Sequence, residues 1–149
     1  MSTLLFIGNT DLAWSIIEKS LLDRSIHVIK ARTLEESLPL LVSEKPDLLL
    51  ADIHAQPVNG FQIARFFRSH SDLADIPILL LSVEADPKTK FWSKESGADG
   101  LVLLDPDNIE TLPDMISSLL SDASPKKPFQ FSGATIDQLN AAEEKTLLS

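Results

Sequence analysis

The chain has no cysteine and only five glycines among its 149 residues. Without cysteine it can form neither disulfide bonds nor the thiolate sites that bind metals or act as nucleophiles. The glycines nowhere form the G-x-G-x-x-G turn that binds dinucleotides. No apolar run approaches the roughly 20 residues that a membrane-spanning helix needs. These absences exclude thiol chemistry and a Rossmann-type cofactor site, and they predict that no helix spans a membrane.

Basic residues are also scarce: 13 Lys and Arg face 22 Asp and Glu, for a formal net charge of −9. Binding to nucleic acid depends on neutralising phosphates with basic side chains, so this balance disfavours it. The N-terminal segment MSTLLFIGNTDLAW lacks the basic leader of a signal peptide. We expect a soluble, cytoplasmic protein whose partners are proteins or small molecules, with no nucleic acid and no membrane.

What the chain does contain is a series of short apolar runs, within a composition that is 44% hydrophobic and can fill a core. Such runs are typical of strands buried on both faces of a parallel sheet, and segments with helical spacing of apolar residues separate them. The pattern predicts an α/β, doubly wound sheet of five parallel strands with helices on both faces. The predicted strands are Leu4–Ile7, residues 26–31, Leu48–Ala51, Ile76–Leu81 and Leu101–Leu104.

Composition also divides the chain into three parts. Residues 1–122 are predicted to form the domain, and its last helix should begin near Thr111 because Pro113 is tolerated only in a first turn. Residues 123–134, rich in Pro, Ser and Lys, predict a linker. Residues 135–149 predict a C-terminal helix or tail that could pair with a second copy of the chain, as a homodimer, or dock on its own domain.

Polar residues come where the apolar runs end. Asp52 ends the third run, Ser82 ends the fourth, and Gly8 with Asn9 follows the first. In open parallel sheets, ligands bind beyond the carboxyl ends of the strands. The sequence therefore predicts that Asp52 and Ser82 lie at a common functional edge, although an aspartate there could also cap a loop amide.

In order and spacing, these parts of residues 3–122 resemble the receiver domain of two-component response regulators. The resemblance implies a flavodoxin-like fold with strand order 2-1-3-4-5. It implies that Asp52 is a phosphoacceptor in a phosphorelay, that Ser82 is the switch hydroxyl and that Gly60 is the glycine that opens the third helix. It further implies signalling through protein partners: a histidine kinase, or an output domain in a longer chain. Enzymatic activity would not go beyond phosphoryl acceptance at Asp52.

The chain departs from the receiver pattern at several positions. Gly8 and Asn9 stand where receivers carry two acids that hold Mg²⁺, and Leu104 stands in place of their lysine. Phosphoryl transfer to a carboxylate depends on cancelling negative charge, so these losses should weaken it.

With the acid pair missing, a weak Mg²⁺ site is the most that the resemblance supports. Its ligands would be Asp52, the Asn9 amide and the main-chain carbonyl of His54. Two mechanisms therefore stay open: a phosphorylated receiver, and a pseudo-receiver scaffold that works without phosphorylation.

Two further features have competing interpretations. Asp52-Ile53-His54 is similar to the D-x-H-x-x-G motif of cobalamin-binding domains, in which the histidine ligates cobalt. Here Pro57 takes the place of the motif's glycine, and the motif follows the third strand rather than the first. Trp92 is predicted to pack partly on the fourth helix, and it would favour a protein interface if it were exposed.

Overall fold

The computed structural model describes residues 2–21, 24–83, 86–104, 111–121 and 129–132. Its strands are β1 Ser2–Ile7, β2 Ile26–Ala31, β3 Leu48–Asp52, β4 Ile78–Ser82, β5 Gly100–Leu103 and β6 Gln130–Ser132. They form one parallel sheet in the order β2-β1-β3-β4-β5-β6. The predicted order of the first five strands is thus confirmed.

Helices connect the strands: α1 Asp11–Ser20, α2 Leu34–Ser43, α3 Gly60–Ser69, α4 Pro87–Glu95 and α5 Thr111–Leu120. Local side chains set their starts, because Thr10, Thr33, Asn59 and Asp86 each accept a hydrogen bond from a first-turn amide. Pro113 is the third residue of α5 as described, and because residues 105–110 lie outside the described ranges, the start near Thr111 stays a prediction. None of the helices in the described ranges is long and apolar enough to cross a membrane.

The core lies on both faces of the sheet. Every residue of β3 and β4 is buried, as expected of central strands in a parallel sheet. Alternate strand residues point to opposite faces. On one face, Phe6 and Leu50 pack with residues of α1 and α5, including Ile17 and Ile116. On the other face, the strand residues pack with α3 and, in part, with α2.

The structure corrects the predicted domain division at one point. Residues 123–134 are predicted to be a linker, whereas Gln130–Ser132 form β6, which pairs with β5. The sheet therefore includes residues beyond position 122. Strand patterns are recognised over four or more residues, so a three-residue strand beside a Pro- and Lys-rich segment gives no usable signal. The predicted helix at 135–149 lies outside the described residues.

Candidate functional site

The register of the central strands brings Asp52 and Ser82 to the same edge of the sheet. Asp52 is the last residue of β3 and lies opposite Leu81 of β4, so Ser82 is one residue further along the neighbouring strand. The Ile53 N–H donates to the Leu81 carbonyl at 3.0 Å, which extends this pairing past the end of β3. Asp52 is 5% exposed and Ser82 is 1% exposed. The sequence placed both residues at strand ends, and the structure shows that these two strands are adjacent.

The carboxylate of Asp52 is held by the loop that follows it. Its Oδ1 accepts a hydrogen bond from the His54 N–H at 2.8 Å, and its main-chain carbonyl accepts one from the Ala55 N–H at 3.1 Å. Ile53 and Ala55 are buried, whereas His54 is exposed. Asp52 therefore does cap a loop amide, and this bond also fixes the direction of its carboxylate.

Gly60 allows α3 to begin directly against the end of β3. A Cβ atom at this position would lie 2.7 Å from the Ile53 Cα and 2.8 Å from the Asp52 carbonyl oxygen, and both are main-chain atoms that cannot rotate away. The Gly60 N–H also donates to the Ile53 carbonyl at 3.3 Å. Asn59 and Gln62 complete a capping box at the same helix start. The first turn of α3 thereby fixes the backbone that carries Asp52.

On the other side of Asp52, the end of β1 is filled by an aromatic ring. A Cβ atom at Gly8 would lie 2.6 Å from Cζ of Phe6, whose side chain is fully buried. Phe6 stacks against Trp14 with ring centroids 6.0 Å apart, and Nζ of Lys30 lies 4.9 Å from the Trp14 ring centroid. An acidic side chain at position 8 would have to displace the Phe6 ring. Side chains two residues apart on a strand share a face, so this neighbourhood could have been foreseen, but the direction of the ring could not.

The donor groups at this edge do not fit a tightly held Mg²⁺. Mg²⁺ demands near-octahedral oxygen ligands. Asp52 is buried and already bonded to the His54 amide, whereas Asn9 is exposed and position 8 has no side chain. Within the described ranges, no cluster of three or more His, Asp and Glu residues could hold a metal ion.

Apolar residues lie in β5 and directly after it, at Leu101 and at Leu104, and position 104 is where the resemblance implies a lysine. Leu104 is half-buried against the core that contains α1 and α5, and Leu101 is fully buried in the opposite core. Asp105, the acid that follows, lies outside the described residues. The side chain at position 104 therefore supplies no positive charge that could offset a phosphoryl group on Asp52.

The lysines of α4 differ in exposure, which the sequence did not reveal. Lys88 is exposed, whereas Lys90 is 5% exposed and lies on the buried face of α4 with Thr89, Ser93 and Ser96. This face carries no large apolar side chain. On the outer side, Trp92 is 48% exposed and makes an edge contact with Phe91, with centroids 5.1 Å apart. Trp92 is therefore exposed, which is the case in which it was expected to favour a protein interface.

Proteins of known type are similar to this chain in sequence. The transcriptional regulatory protein AfsQ1 of Streptomyces coelicolor is 33% identical over 103 residues, which are 69% of this chain and 44% of that protein. Protein PilH of Pseudomonas aeruginosa is 32% identical over 94 residues, 63% of this chain and 77% of PilH. This chain belongs to the response regulator receiver family. No model of a protein family matches it.

Solved structures support the same assignment of the receiver domain. The chemotaxis response regulator CheY4 of Vibrio cholerae superposes with a TM-score of 0.71 at 26% identity, covering 80% of this chain and 99% of CheY4. The match covers nearly all of the solved CheY4 chain, whereas this chain spans less than half of AfsQ1. What the larger relatives do as whole proteins is therefore not carried over to this chain.

Proposed function

We propose that this receiver domain transmits a signal by binding a protein partner, with Asp52 at the phosphoacceptor position. The observation that supports it best is the burial of Asp52 at the end of β3 and of Ser82 at the end of β4, the strand next to it. A histidine kinase, or an output domain of a longer chain, would be the partner. The exposed Trp92 is the kind of large aromatic side chain that dominates the energy of protein interfaces.

In the first mechanism, Asp52 still accepts a phosphoryl group. A carboxylate oxygen of Asp52 would form the new bond to phosphorus while the bond from phosphorus to the donor breaks. The His54 N–H that now binds Oδ1 would hold the carboxylate in position, and the Ser82 hydroxyl would donate to the phosphoryl oxygens. The phosphate would change partner binding only by interacting more favourably with one conformation than with another.

In the second mechanism, the domain is a pseudo-receiver that binds its partner without phosphorylation. Two observations favour it: the Phe6 ring fills the space beside Gly8, and Leu104 packs into the core. Because phosphoryl transfer needs nearby positive charge to offset the charge of the anions, an edge built in this way should transfer slowly. A weak Mg²⁺ site at Asp52, Asn9 and the His54 carbonyl belongs to the first mechanism only.

The two mechanisms differ in one measurable product. The chain is incubated with Mg²⁺ and acetyl phosphate, and its intact mass is compared with that of Asp52→Asn. The pseudo-receiver mechanism predicts no phosphoryl adduct on either, while a conventional receiver treated in parallel gains one. An adduct on the native chain that is absent from Asp52→Asn would overturn it. A magnesium titration of the same two proteins should show weak binding or none.

A reconstruction tests whether the missing groups are the cause. Gly8→Asp, Asn9→Asp and Leu104→Lys together restore the charged groups of the receiver pattern, but the Phe6 ring would still oppose the new side chain at position 8. We expect phosphorylation to appear only after Phe6→Val is added. The matched control carries Phe6→Val alone, which makes room without adding charge. Phosphorylation of that control would show that the restored charges are not needed.

The cobalamin interpretation of Asp52-Ile53-His54 is a minor alternative that a simple titration tests. The His54 ring is exposed, so a cobalt ligand at this position would be accessible. A change in the visible spectrum of cobalamin on adding the native chain, but not His54→Ala, would favour it. We expect no change.

A further inference from the structure

The outer edge of β5 is covered by a short strand from later in the chain. Gly100, Leu101 and Val102 pair in parallel with Gln130, Phe131 and Ser132. Just before this strand, the half-buried Phe129 packs against the core on the α3 face, and Nζ of Lys94 lies 5.8 Å from its ring centroid. Phe129 and three residue pairs therefore hold β6, whereas six residue pairs join β1 to β2.

The connection from β5 to β6, which includes α5, has the opposite hand to the connections through α1 and α3. The chain passes from β3 to β4 through α3 over one face of the sheet. From β1 to β2 the chain crosses the sheet in the opposite direction, and α1 packs on the opposite face. Because both direction and face are reversed, this connection has the same hand as the one through α3. From β5 to β6 the chain crosses the sheet in the same direction as from β3 to β4. However, α5 packs on the face that carries α1, and not on the face that carries α3. Since about 98% of such crossovers are right-handed, this connection is an unfavourable one within a single chain.

A strand supplied by another molecule would not be subject to this restriction, because no crossover would then connect it to β5. We propose that the outer edge of β5 is a strand-docking surface whose preferred occupant is Gln130–Ser132 of a second copy of this chain. The same residue pairs form whether the strand comes from the same chain or from its partner. Two copies that exchange β6 make two equal contacts related by a two-fold axis, which closes the assembly as a dimer.

Within one chain, α5 ends at Leu120 and β6 begins at Gln130. The tether between them gives the strand of the same molecule a high effective concentration, on the order of millimolar for a short flexible tether. Exchange should therefore depend on protein concentration, with monomer favoured on dilution. The edge of β5 becomes exposed whenever β6 detaches from it, and an exposed edge pairs readily with another chain.

The absence of cysteine from the 149 residues allows a direct test. Val102 and Ser132 are register partners, and neighbouring strands lie about 4.8 Å apart, which is within the range that a disulfide can span. Val102→Cys and Ser132→Cys are made as separate variants, mixed under mild oxidation, and digested to identify the linked peptides by mass. The control mixture pairs Ser132→Cys with Val28→Cys, because β2 is the opposite edge of the sheet.

We expect the disulfide 102–132 between two molecules in the first mixture, increasing with protein concentration, and none between positions 28 and 132 in the control. The result that overturns the proposal is a 102–132 bond that forms readily within the double variant but not between the two single variants. Equal cross-linking in both mixtures would also overturn it, because the contact would then be unspecific.

Sedimentation velocity gives a second, independent test. Gln130→Pro with Phe131→Pro removes two amides that strand pairing can use, so any dimer of the native chain should dissociate. Removing residues 121–128 leaves only Phe129 between Leu120 of α5 and Gln130 of β6, fewer than the two to six residues that such connections use, and should convert monomer to dimer. A shortened chain that stays monomeric, or a dimer that survives the two prolines, refutes exchange. Neither test involves phosphate, so a negative result here leaves the proposed function of Asp52 untouched.

Discussion

Arg68 joins the end of α3 to two loops and to the carboxylate of Asp99, and replacing it should destabilise the fold measurably. Its Nη2 donates to Asp99 Oδ2 at 2.8 Å, and both side chains are about a quarter exposed. The other guanidinium contacts are to main-chain carbonyls: Nε to Gly97 at 2.9 Å, and Nη1 to Ala74 at 2.9 Å and to Ile76 at 2.7 Å. These bonds tie segments that are distant in sequence to one planar group.

The size of the effect follows from what is lost in Arg68→Met. Methionine keeps most of the apolar stem but removes all four hydrogen bonds. A hydrogen bond to a charged group contributes about 1.5–3 kcal/mol when well shielded, and neutral bonds contribute about 1 kcal/mol. Partial exposure lowers each contribution, and Asp99 keeps a bond from the Ile78 N–H at 2.8 Å. We therefore expect a loss of about 2–4 kcal/mol in the free energy of unfolding.

Urea unfolding followed by circular dichroism measures this loss, with the midpoint falling while the slope of free energy against urea stays constant. Arg65→Met is the matched control, because Arg65 lies on the same helix and is exposed. It should change stability by no more than about 0.5 kcal/mol, as expected at surface sites. A loss below about 1 kcal/mol for Arg68→Met, or an equal loss for Arg65→Met, would show that the hydrogen bonds of Arg68 do not hold the loops.

Three further changes have expected outcomes in the same unfolding assay. Gly60→Ala should cost about 1–3 kcal/mol, because its Cβ would meet the backbone of β3, and a neutral result would mean that α3 can shift freely. Pro39→Ala should stabilise the protein by about 1–3 kcal/mol, because Pro39 is exposed inside α2 and alanine restores an amide to the helix; a loss would contradict this. Asn59→Ala should cost about 0.5–2 kcal/mol through loss of the α3 cap, and a cost near zero would show that water replaces it.

Local sequence patterns predicted most of the fold because they follow from short-range chemistry. The apolar runs that became β1 to β5 could only be buried on both faces, and the position of Pro113 limited where α5 could start. The resemblance to receivers added the strand order, which local patterns do not contain. β6 was missed, because three residues carry no periodicity and their pairing depends on a strand edge that is distant in sequence.

The candidate site was predicted in part for the same reason. Strand ends are visible in sequence, so Asp52 and Ser82 could be named, and the absence of an acid at Gly8 was also visible. The bond from the His54 amide to Asp52, and the Phe6 ring beside Gly8, depend on side-chain directions that no spacing rule gives. The burial of Lys90 in α4 was likewise hidden, since a lysine in sequence reads as a surface residue.

By itself, then, the order of residues determined the layered α/β fold and which groups stand at the ends of β3 and β4, because burial and helix starts are decided over a few neighbouring positions. Tertiary structure alone decided what surrounds those groups: an aromatic ring in place of an acid, a glycine pressed against the backbone, and a late strand on the edge of β5. Those contacts join residues far apart in the chain, and their geometry exists only once the sheet has formed.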